Sequence, residues 1–171
     1  TFTKRAAVEM RERLTALGVP GVQARTFHSA ALRQLQYFWP SAIGGSMPPL
    51  IEHKASLISA AAARIGIRAD KALVRDLAAE VEWSKVSMLD ADAYAEAVRA
   101  NRRTPPGDLS VDDVLALMDA YQEAKEDRGV LDFEDVLVLT AGILQDYPAI
   151  AQRIHRQYRS FVVDEYQDVS A

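Results

Sequence analysis

The spacing of apolar and polar side chains over the first 40 residues predicts alternating strands and helices. Residues 1–3 have the composition of a strand end, and an amphipathic helix follows that Gly18 and Pro20 stop. Residues 22–26 form a second short segment typical of a strand. A second amphipathic helix follows it and is expected to end at Trp39-Pro40. This strand–helix–strand–helix order is typical of a parallel α/β sheet.

Short polar side chains at fixed spacing mark the expected helix starts. Ser29 is a candidate N-cap for the second helix because its hydroxyl can accept a first-turn N–H. Ser110 with Asp113 three residues on approximates a capping box. Asp132 with Asp135 has the same spacing and predicts another helix start.

A linker composition separates the first 40 residues from a longer helical stretch. Residues 41–49 are rich in glycine, proline and serine, and from Leu50 to about Arg103 the apolar patterns are helical. The α/β pattern resumes near residue 129. The sequence therefore predicts a mostly helical α/β protein, in which residues 1–40 and 129–171 form a parallel-sheet domain and residues 41–128 form an inserted all-α subdomain.

The apolar run 161–163 leads directly into the acids Asp164 and Glu165, and Gln167 and Asp168 follow. Such a run is typical of a buried parallel strand with acids at its C-terminal tip, where open α/β sheets bind ligands. One carboxylate there can hold the magnesium ion of a nucleotide, and its neighbour can activate a water. A core strand followed by an acidic, solvated turn is the alternative, and the residues alone leave both open.

Composition excludes several classes of protein. No apolar run approaches ~18 residues, so no membrane span is expected. No charged-then-apolar leader is present, and we expect a cytoplasmic protein. The chain has no cysteine, which excludes disulfides and thiolate metal sites. Its three histidines are widely spaced and predict no zinc site.

The net charge of −4 is unevenly distributed along the chain. Residues 1–40 carry six basic and two acidic side chains, a net charge of +4, which leaves −8 for the remainder. Screening confines charge effects to roughly 10 Å, so a basic segment in an acidic chain can still bind phosphates locally. Ordinary solvated helix charge explains the same count equally well.

Two polar segments follow the two expected N-terminal strands. In the first, Thr3 with Lys4 and Arg5 stands at a helix start, where backbone N–H groups bind phosphate oxygens, and Phe2 can stack on a base. The alternative is a capped helix with Phe2 in the core.

In the second segment, Thr26, His28 and Ser29 can each donate to a phosphate. A Ser–His nucleophile is not expected, because neighbouring residues point differently and no third member is evident. Ser29 acting as a helix cap is the alternative, and it is compatible with phosphate binding.

The order of these motifs resembles the UvrD/Rep/PcrA-type DNA helicases of superfamily 1. The matching stretches are TFTxxAAxEMxxR, then RTFHS, then LDFEDVL, then FVVDEYQDV, and residues 32–40 (LRQLQYFWP) resemble an actinobacterial branch. The resemblance implies an ATP-dependent translocase that unwinds DNA 3′ to 5′ in repair or replication. It implies ATP and Mg²⁺ as cofactors, and single-stranded DNA and single-strand/duplex junctions as partners. It places residues 1–40 and 129–171 in a RecA-like P-loop motor domain that ends in the Walker B strand.

The resemblance also assigns roles to individual residues. It implies that Asp164 binds magnesium and that Glu165 activates the hydrolytic water. Gln167 and Asp168 would link the nucleotide state to neighbouring loops. The positions that match the single-strand groove are Phe2, Thr3, Thr26 and His28, with Lys4 replacing the family's usual asparagine, and Arg5 and Ser29 beside them.

The phosphate-cradling motif of P-loop ATPases, G-x-x-x-x-G-K-S/T, does not occur in the chain. We therefore expect no ATPase or unwinding activity from this chain alone, and an open sheet edge where the missing parts of the same polypeptide would pair. Two alternatives to a UvrD-like fragment stay open. One is a fragment of a helicase–nuclease protein of the AddA/RecB type, and the other is a non-catalytic DNA-binding module.

Overall fold

A computed structural model describes residues 1–19 and 21–166 of the chain. The described residues form α-helices joined by short loops. Their bounds are α1 Lys4–Ala16, α2 Phe27–Ala42, α3 Ala55–Arg64, α4 Lys71–Val86, α5 Ala91–Arg99, α6 Val111–Arg128, α7 Asp135–Asp146 and α8 Pro148–Gln157. Within the described ranges no helix is long and apolar enough to cross a membrane.

The expected parallel sheet is absent from the described residues, so the α/β prediction is wrong there. The only pairing of strand type in residues 1–19 and 21–166 is an isolated parallel bridge between Leu50 and Leu131. The amino group of Thr1 donates to the carbonyl of Arg25 at 3.3 Å, but no ladder continues from it in this part of the chain.

The segment expected to be the acidic strand shows why the prediction failed. Val162 is 95% exposed and Phe161 is 72% exposed, whereas a buried strand would cover both. A strand is stabilised by hydrogen bonds to a neighbouring strand and by packing on both faces. Apolar composition marks a segment that suits a strand, but it does not supply those partners.

The chain separates into two compact units. Unit 1 consists of residues 1–47 together with Val136 onward, and unit 2 consists of Pro48–Asp135. The sequence pattern placed the corresponding changes at residues 41 and 129.

Unit 2 has an apolar core between α3, α4 and α6. Side chains at helical spacing on each helix face this core, which explains why the three helices form: each has one apolar stripe to bury. The largest fully covered members are Leu57, Ile58, Leu77, Val81, Leu117 and Tyr121.

Glu80 of α4 connects that core to α5 and to the loop after it. Its carboxylate accepts from the Tyr94 hydroxyl at 2.9 Å and from two nitrogens of the Arg103 guanidinium at 2.6 and 2.9 Å. Arg103 also lies 4.5 Å from the ring centroid of Trp83. A buried carboxylate paired in this way fixes the loop against α4.

Unit 1 packs α2 against α7 and α8. Leu35, Phe38 and Ile154 are buried in this contact region. The hydroxyl of Tyr147 donates to the carbonyl of Ala42 at 2.6 Å, which anchors the last turn of α2.

The expected end and start of α2 are both corrected. The helix continues through Pro40 to Ala42 rather than ending at Trp39-Pro40. The fixed φ of proline is compatible with helical backbone, and its missing N–H removes one bond to the preceding turn without ending the helix here. The N-cap is Thr26, whose side chain accepts from the Ser29 N–H at 3.2 Å, so Ser29 is not the cap.

The predicted helix start at Ser110 is confirmed, and the predicted pairing of Asp132 with Asp135 is present, although α7 itself begins at Asp135. Ser110 and Asp113 form a capping box, in which the Ser110 hydroxyl accepts from the Asp113 N–H at 3.1 Å and the Asp113 carboxylate accepts from the Ser110 N–H at 2.9 Å. Asp132 and Asp135 exchange the same pair of bonds, both at 2.9 Å. These contacts span three residues, which is why local sequence predicts them.

Candidate nucleic-acid interface and nucleotide site

Two aromatic rings meet beside the starts of α1 and α2. The ring centroids of Phe2 and Phe27 are 5.3 Å apart and the planes are inclined by 55°. Phe2 is 41% exposed and Phe27 is 36% exposed. Each ring therefore covers part of the other and presents the rest to solvent. Exposed aromatic faces of this kind can stack on nucleic-acid bases.

Threonine caps begin both helices next to the aromatic pair. Thr3 accepts from the Ala6 N–H at 3.1 Å, and Thr26 caps α2 in the same way. A hydroxyl that accepts one N–H still has its own proton to donate. The first-turn N–H groups of a helix lack intrahelical partners and carry partial positive charge, so both helix starts suit phosphate oxygens.

Ser29 and His28 follow in the first turn of α2. Ser29 donates its hydroxyl proton to the carbonyl of Thr26 at 3.0 Å, so this hydroxyl contributes acceptor capacity rather than a donor while that bond holds. His28 is half-buried.

The basic side chains of α1 have different surroundings. Lys4 and Arg5 are exposed in the first turn of the helix. Arg11 donates to the carbonyl of Ala24 at 2.9 Å, and Arg13 pairs with a glutamate one turn earlier. Lys4 and Arg5 directly follow the Thr3 cap in the chain, and both side chains are exposed.

The acidic segment lies at the end of the described chain. Asp164 is half-buried, and Glu165 is exposed with a backbone φ of 54°. A positive φ is uncommon for a residue with a side chain. Gln167 and Asp168, the other predicted members, lie outside the described residues.

The donor set of the acidic segment suits magnesium but supplies only part of a nucleotide site. Mg²⁺ is usually held by one or two carboxylates together with phosphate oxygens and water, and Asp164 offers one such carboxylate. No group of three metal-binding side chains is present among the described residues. The Lys and backbone cradle of a P-loop would have to come from residues that this sequence does not contain.

A buried ionic cluster in unit 2 was missed by the sequence analysis. Lys85 Nζ lies 2.7 Å from Asp132 Oδ2 and 2.6 Å from Asp135 Oδ1. Lys125 Nζ binds Asp135 Oδ2 and lies 3.3 Å from Asp132 Oδ2. Tyr121 donates its hydroxyl to Asp132 Oδ2 at 3.1 Å. The two lysines and two aspartates are called the four-charge cluster below.

Burial and pairing shift the pKa values of the four-charge cluster. Burial alone would raise the pKa of Asp132, but the charges of Lys85 and Lys125 hold it well below its usual range. Burial opposes the charge of Lys85, yet the Asp132 charge and hydrogen bonds raise its pKa. For Lys125, burial and the neighbouring Lys85 charge lower the pKa. Burial and the Asp132 charge raise the pKa of Tyr121.

One sequence signal for this cluster was available. Lys125 falls on the stripe formed by Val114, Leu117 and Tyr121, where an apolar residue would be expected, and it is 1% exposed. A lysine on an apolar stripe indicates a buried ion pair, because a buried ammonium group needs a paired charge.

The remaining acid of the LDFEDVL stretch is also paired. Glu134 accepts from Lys54 Nζ at 2.7 Å, and its side chain is 7% exposed. The stretch therefore contributes helix capping and ion pairing within unit 2. Phe133 is 48% exposed.

Comparison with known proteins shows which protein family the chain belongs to. The family model for the UvrD/REP helicase N-terminal domain matches residues 1–171, and the chain belongs to that family. The predicted resemblance to UvrD-type helicases is thereby confirmed.

Mycobacterial proteins are among the relatives. The chain is 44% identical over 182 residues to the ATP-dependent DNA helicase UvrD2 of Mycobacterium tuberculosis (strain ATCC 25618 / H37Rv), covering 99% of this chain and 26% of that protein. It is 33% identical over 178 residues to UvrD1 of Mycobacterium leprae, covering 99% of this chain and 22% of that protein. The chain thus spans about a quarter of the length of these relatives.

A shorter match reaches another helicase group. An ATP-dependent helicase/nuclease protein from Natranaerobius thermophilus is 38% identical over 60 residues, which cover 35% of this chain and 5% of that protein.

Proposed function

We propose that this chain is the N-terminal part of an ATP-dependent DNA helicase that translocates 3′ to 5′ along single-stranded DNA. The observation that carries this proposal is the family match over residues 1–171, with its mycobacterial relatives named as ATP-dependent DNA helicases. Action in DNA repair or replication and a cytoplasmic location belong to the same proposal.

The proposed single-strand site is the surface formed by the starts of α1 and α2. Phe2 and Phe27 present partly exposed rings to the bases, while Thr3 and Thr26 cap helix starts whose N–H groups suit phosphates. Lys4 adds a point charge where the family usually has an amide donor. Arg5 and His28 complete the proposed set, and Ser29 would join it by turning its hydroxyl proton from the Thr26 carbonyl to a phosphate oxygen.

The proposed nucleotide site uses the acidic segment. Asp164 would hold Mg²⁺, Glu165 would orient the attacking water, and Gln167 would sense the nucleotide state. Bound magnesium would neutralise charge on the phosphates during transfer. The chain's own contribution is a carboxylate ligand and an exposed base, and the phosphate cradle would have to come from elsewhere in the polypeptide.

The proposed domain assignment keeps the boundaries read from the sequence. Residues 1–40 and 129–171 would belong to the motor domain, and residues 41–128 would be an inserted helical subdomain that approaches duplex DNA at a junction. The two compact units support an insertion of this kind, with changes near residues 47 and 136.

Titration of a fluorescently labelled oligothymidine strand with the 171-residue chain tests the proposed DNA site. We expect binding that weakens steeply between about 50 and 200 mM salt, because phosphate contacts release counterions. Lys4→Ala combined with Arg5→Ala should weaken binding. It should also reduce the slope of log affinity against log salt concentration by about two, because two phosphate contacts are lost.

The matched control is Arg156→Ala combined with Arg159→Ala, which removes two exposed cations at and just after the end of α8. It should leave affinity within about twofold of the starting chain, because neither cation belongs to the two helix starts proposed to bind phosphate. Salt-insensitive binding, or equal loss in both double variants, would count against the site at the helix starts.

The match to a helicase/nuclease protein supports a second candidate, a parent of the AddA/RecB type. A nuclease domain encoded far downstream in the same gene would favour that parent. Its absence from the complete gene would favour the UvrD-like one.

A further inference from the structure

The two points at which the chain enters and leaves unit 2 are bonded to each other. Ile51 N donates to Leu131 O at 2.8 Å, and Leu131 N donates to Pro49 O at 3.0 Å. Unit 2 begins at Pro48 and ends at Asp135, so both bonds lie within a few residues of its two ends. The entry segment (residues 48–51) and the exit segment (residues 131–135) are therefore joined at Pro49, Ile51 and Leu131.

Ion pairs add to this pairing from both segments. Lys54, just after the entry segment, binds Glu134 of the exit segment at 2.7 Å. In the four-charge cluster, each oxygen of Asp135 binds a different lysine, Lys85 from α4 and Lys125 from α6. The exit segment cannot shift without leaving buried charges unpaired, and such unpairing is strongly unfavourable.

The backbone just before unit 2 differs in conformation from the backbone just after it. After Asp135 it continues directly as α7, without an intervening loop. Before Pro48 it contains Gly44 and Gly45, both with positive φ and with open space around the position of a β-carbon. Glycine populates positive and negative φ about equally well, so its backbone can change conformation without the steric penalty of a β-carbon.

We propose that these contacts form a clasp that closes unit 2 on itself and confines backbone flexibility at its ends to residues 44–47. The clasp consists of the Leu50–Leu131 bridge, the Lys54–Glu134 pair and the four-charge cluster. Unit 2 then opens only as a whole, with its entry and exit segments as firmly held as its core. The clasp holds whether or not the parent protein is a helicase.

Residue-resolved hydrogen exchange of the full 171-residue chain at neutral pH tests the clasp. The amides of Ile51 and Leu131 are expected to be protected within about tenfold of Leu117 in the core, because they open only with the whole unit. The amide of Gly45 should exchange at least about 100-fold faster. Exchange at Ile51 and Leu131 as fast as at Gly45 would overturn the proposal.

The variant Asp135→Asn separates the clasp from the core. Protection at Ile51 and Leu131 should fall by at least about tenfold relative to Leu117. Unchanged protection at both amides would overturn the proposal. The control Glu123→Gln, which removes an exposed partner of Arg64, should leave the protection of the Ile51, Leu131 and Leu117 amides unchanged.

A milder variant keeps the test decisive if Asp135→Asn does not fold. Glu134→Gln weakens only the Lys54–Glu134 pair, while Lys54 keeps Glu82 as a second partner at 3.5 Å and the four-charge cluster stays intact. Faster exchange at Ile51 with an unchanged Leu117 would support the clasp, and no change at Ile51 would contradict it.

Discussion

The carboxylate of Asp132 accepts several hydrogen bonds that hold different parts of the fold together. Its carboxylate accepts from the Asp135 N–H to begin α7, from Lys85 at 2.7 Å and from the Tyr121 hydroxyl at 3.1 Å. The residue is 1% exposed, and its charge is matched by two lysines. Such a group stabilises the fold only while it is ionised, because each of these donors is directed at a charged carboxylate.

The stability contributed by Asp132 should depend on acid pH. In the folded state the pKa of Asp132 is below its usual range. Its contribution to the free energy of unfolding is therefore fully present above the ordinary aspartate pKa of about 3.9. It is lost progressively as the pH falls below that value. Urea unfolding at about pH 7, 5 and 3 should show Asp132→Asn strongly destabilised at neutral pH, with the difference from the starting chain shrinking at the acid end.

The control for this prediction is Asp119→Asn, an exposed position on α6. Its difference from the starting chain should stay small at each pH. An Asp132→Asn difference that is constant across the three pH values would contradict the ionic role of Asp132.

At the scale of elements, the starts and ends of helices depend mainly on hydrogen bonds between residues three or four positions apart. The capping box at Ser110 begins α6, and Gly129 ends that helix with a φ of 60°. These signals act over three or four residues, so they were readable from the sequence. The start of α2 was harder to predict, because Thr26 and Ser29 are both good caps three residues apart and either could begin a helix.

Removing the α6 cap should have a modest, measurable cost. Ser110→Ala deletes the hydroxyl that accepts the Asp113 N–H and should lower the free energy of unfolding by about 1 kcal/mol. Urea unfolding of the chain measures it. Ser59→Ala, exposed inside α3, is the matched control and should be neutral or slightly stabilising, because alanine has the higher helix propensity. Equal effects of the two substitutions would argue against a capping contribution.

At the scale of the whole molecule, charge and length govern what the chain can do alone. Unit 2 carries eleven basic and eighteen acidic side chains, a net charge of −7, while residues 1–40 carry +4. Long-range attraction to a polyanion therefore favours the N-terminal segment. Any approach of unit 2 to duplex DNA would depend on local contacts. The relatives are about four times longer than this chain.

The purified 171-residue chain is expected to hydrolyse ATP no faster than background. Asp164 and Glu165 are the proposed magnesium ligand and base, but this sequence contains no P-loop to hold the β- and γ-phosphates. A coupled phosphate-release assay with single-stranded DNA present measures the rate. The control Glu165→Gln should give the same background rate. Turnover by the starting chain that Glu165→Gln abolishes would contradict the prediction.

By itself the sequence determined the family and the capping pairs at the starts of α6 and α7, but not the two ends of α2. The order of the TFT, RTFHS, LDFEDVL and DEYQD motifs identified the UvrD type, because motif order can be read from the sequence without knowing which residues are in contact. The capping pairs Ser110–Asp113 and Asp132–Asp135 were predictable because both partners lie within one helical turn.

Only the tertiary structure decided which of these segments pair and which side chains are buried. The segment 161–163 has a strand composition, yet Val162 is 95% exposed, because a strand needs hydrogen-bonding neighbours that composition does not specify. Lys85 and Lys125 look like ordinary helix cations, but α4 and α6 bring them to the same two aspartates. Those contacts join residues that are distant in the chain, so they depend on how the helices pack rather than on local sequence.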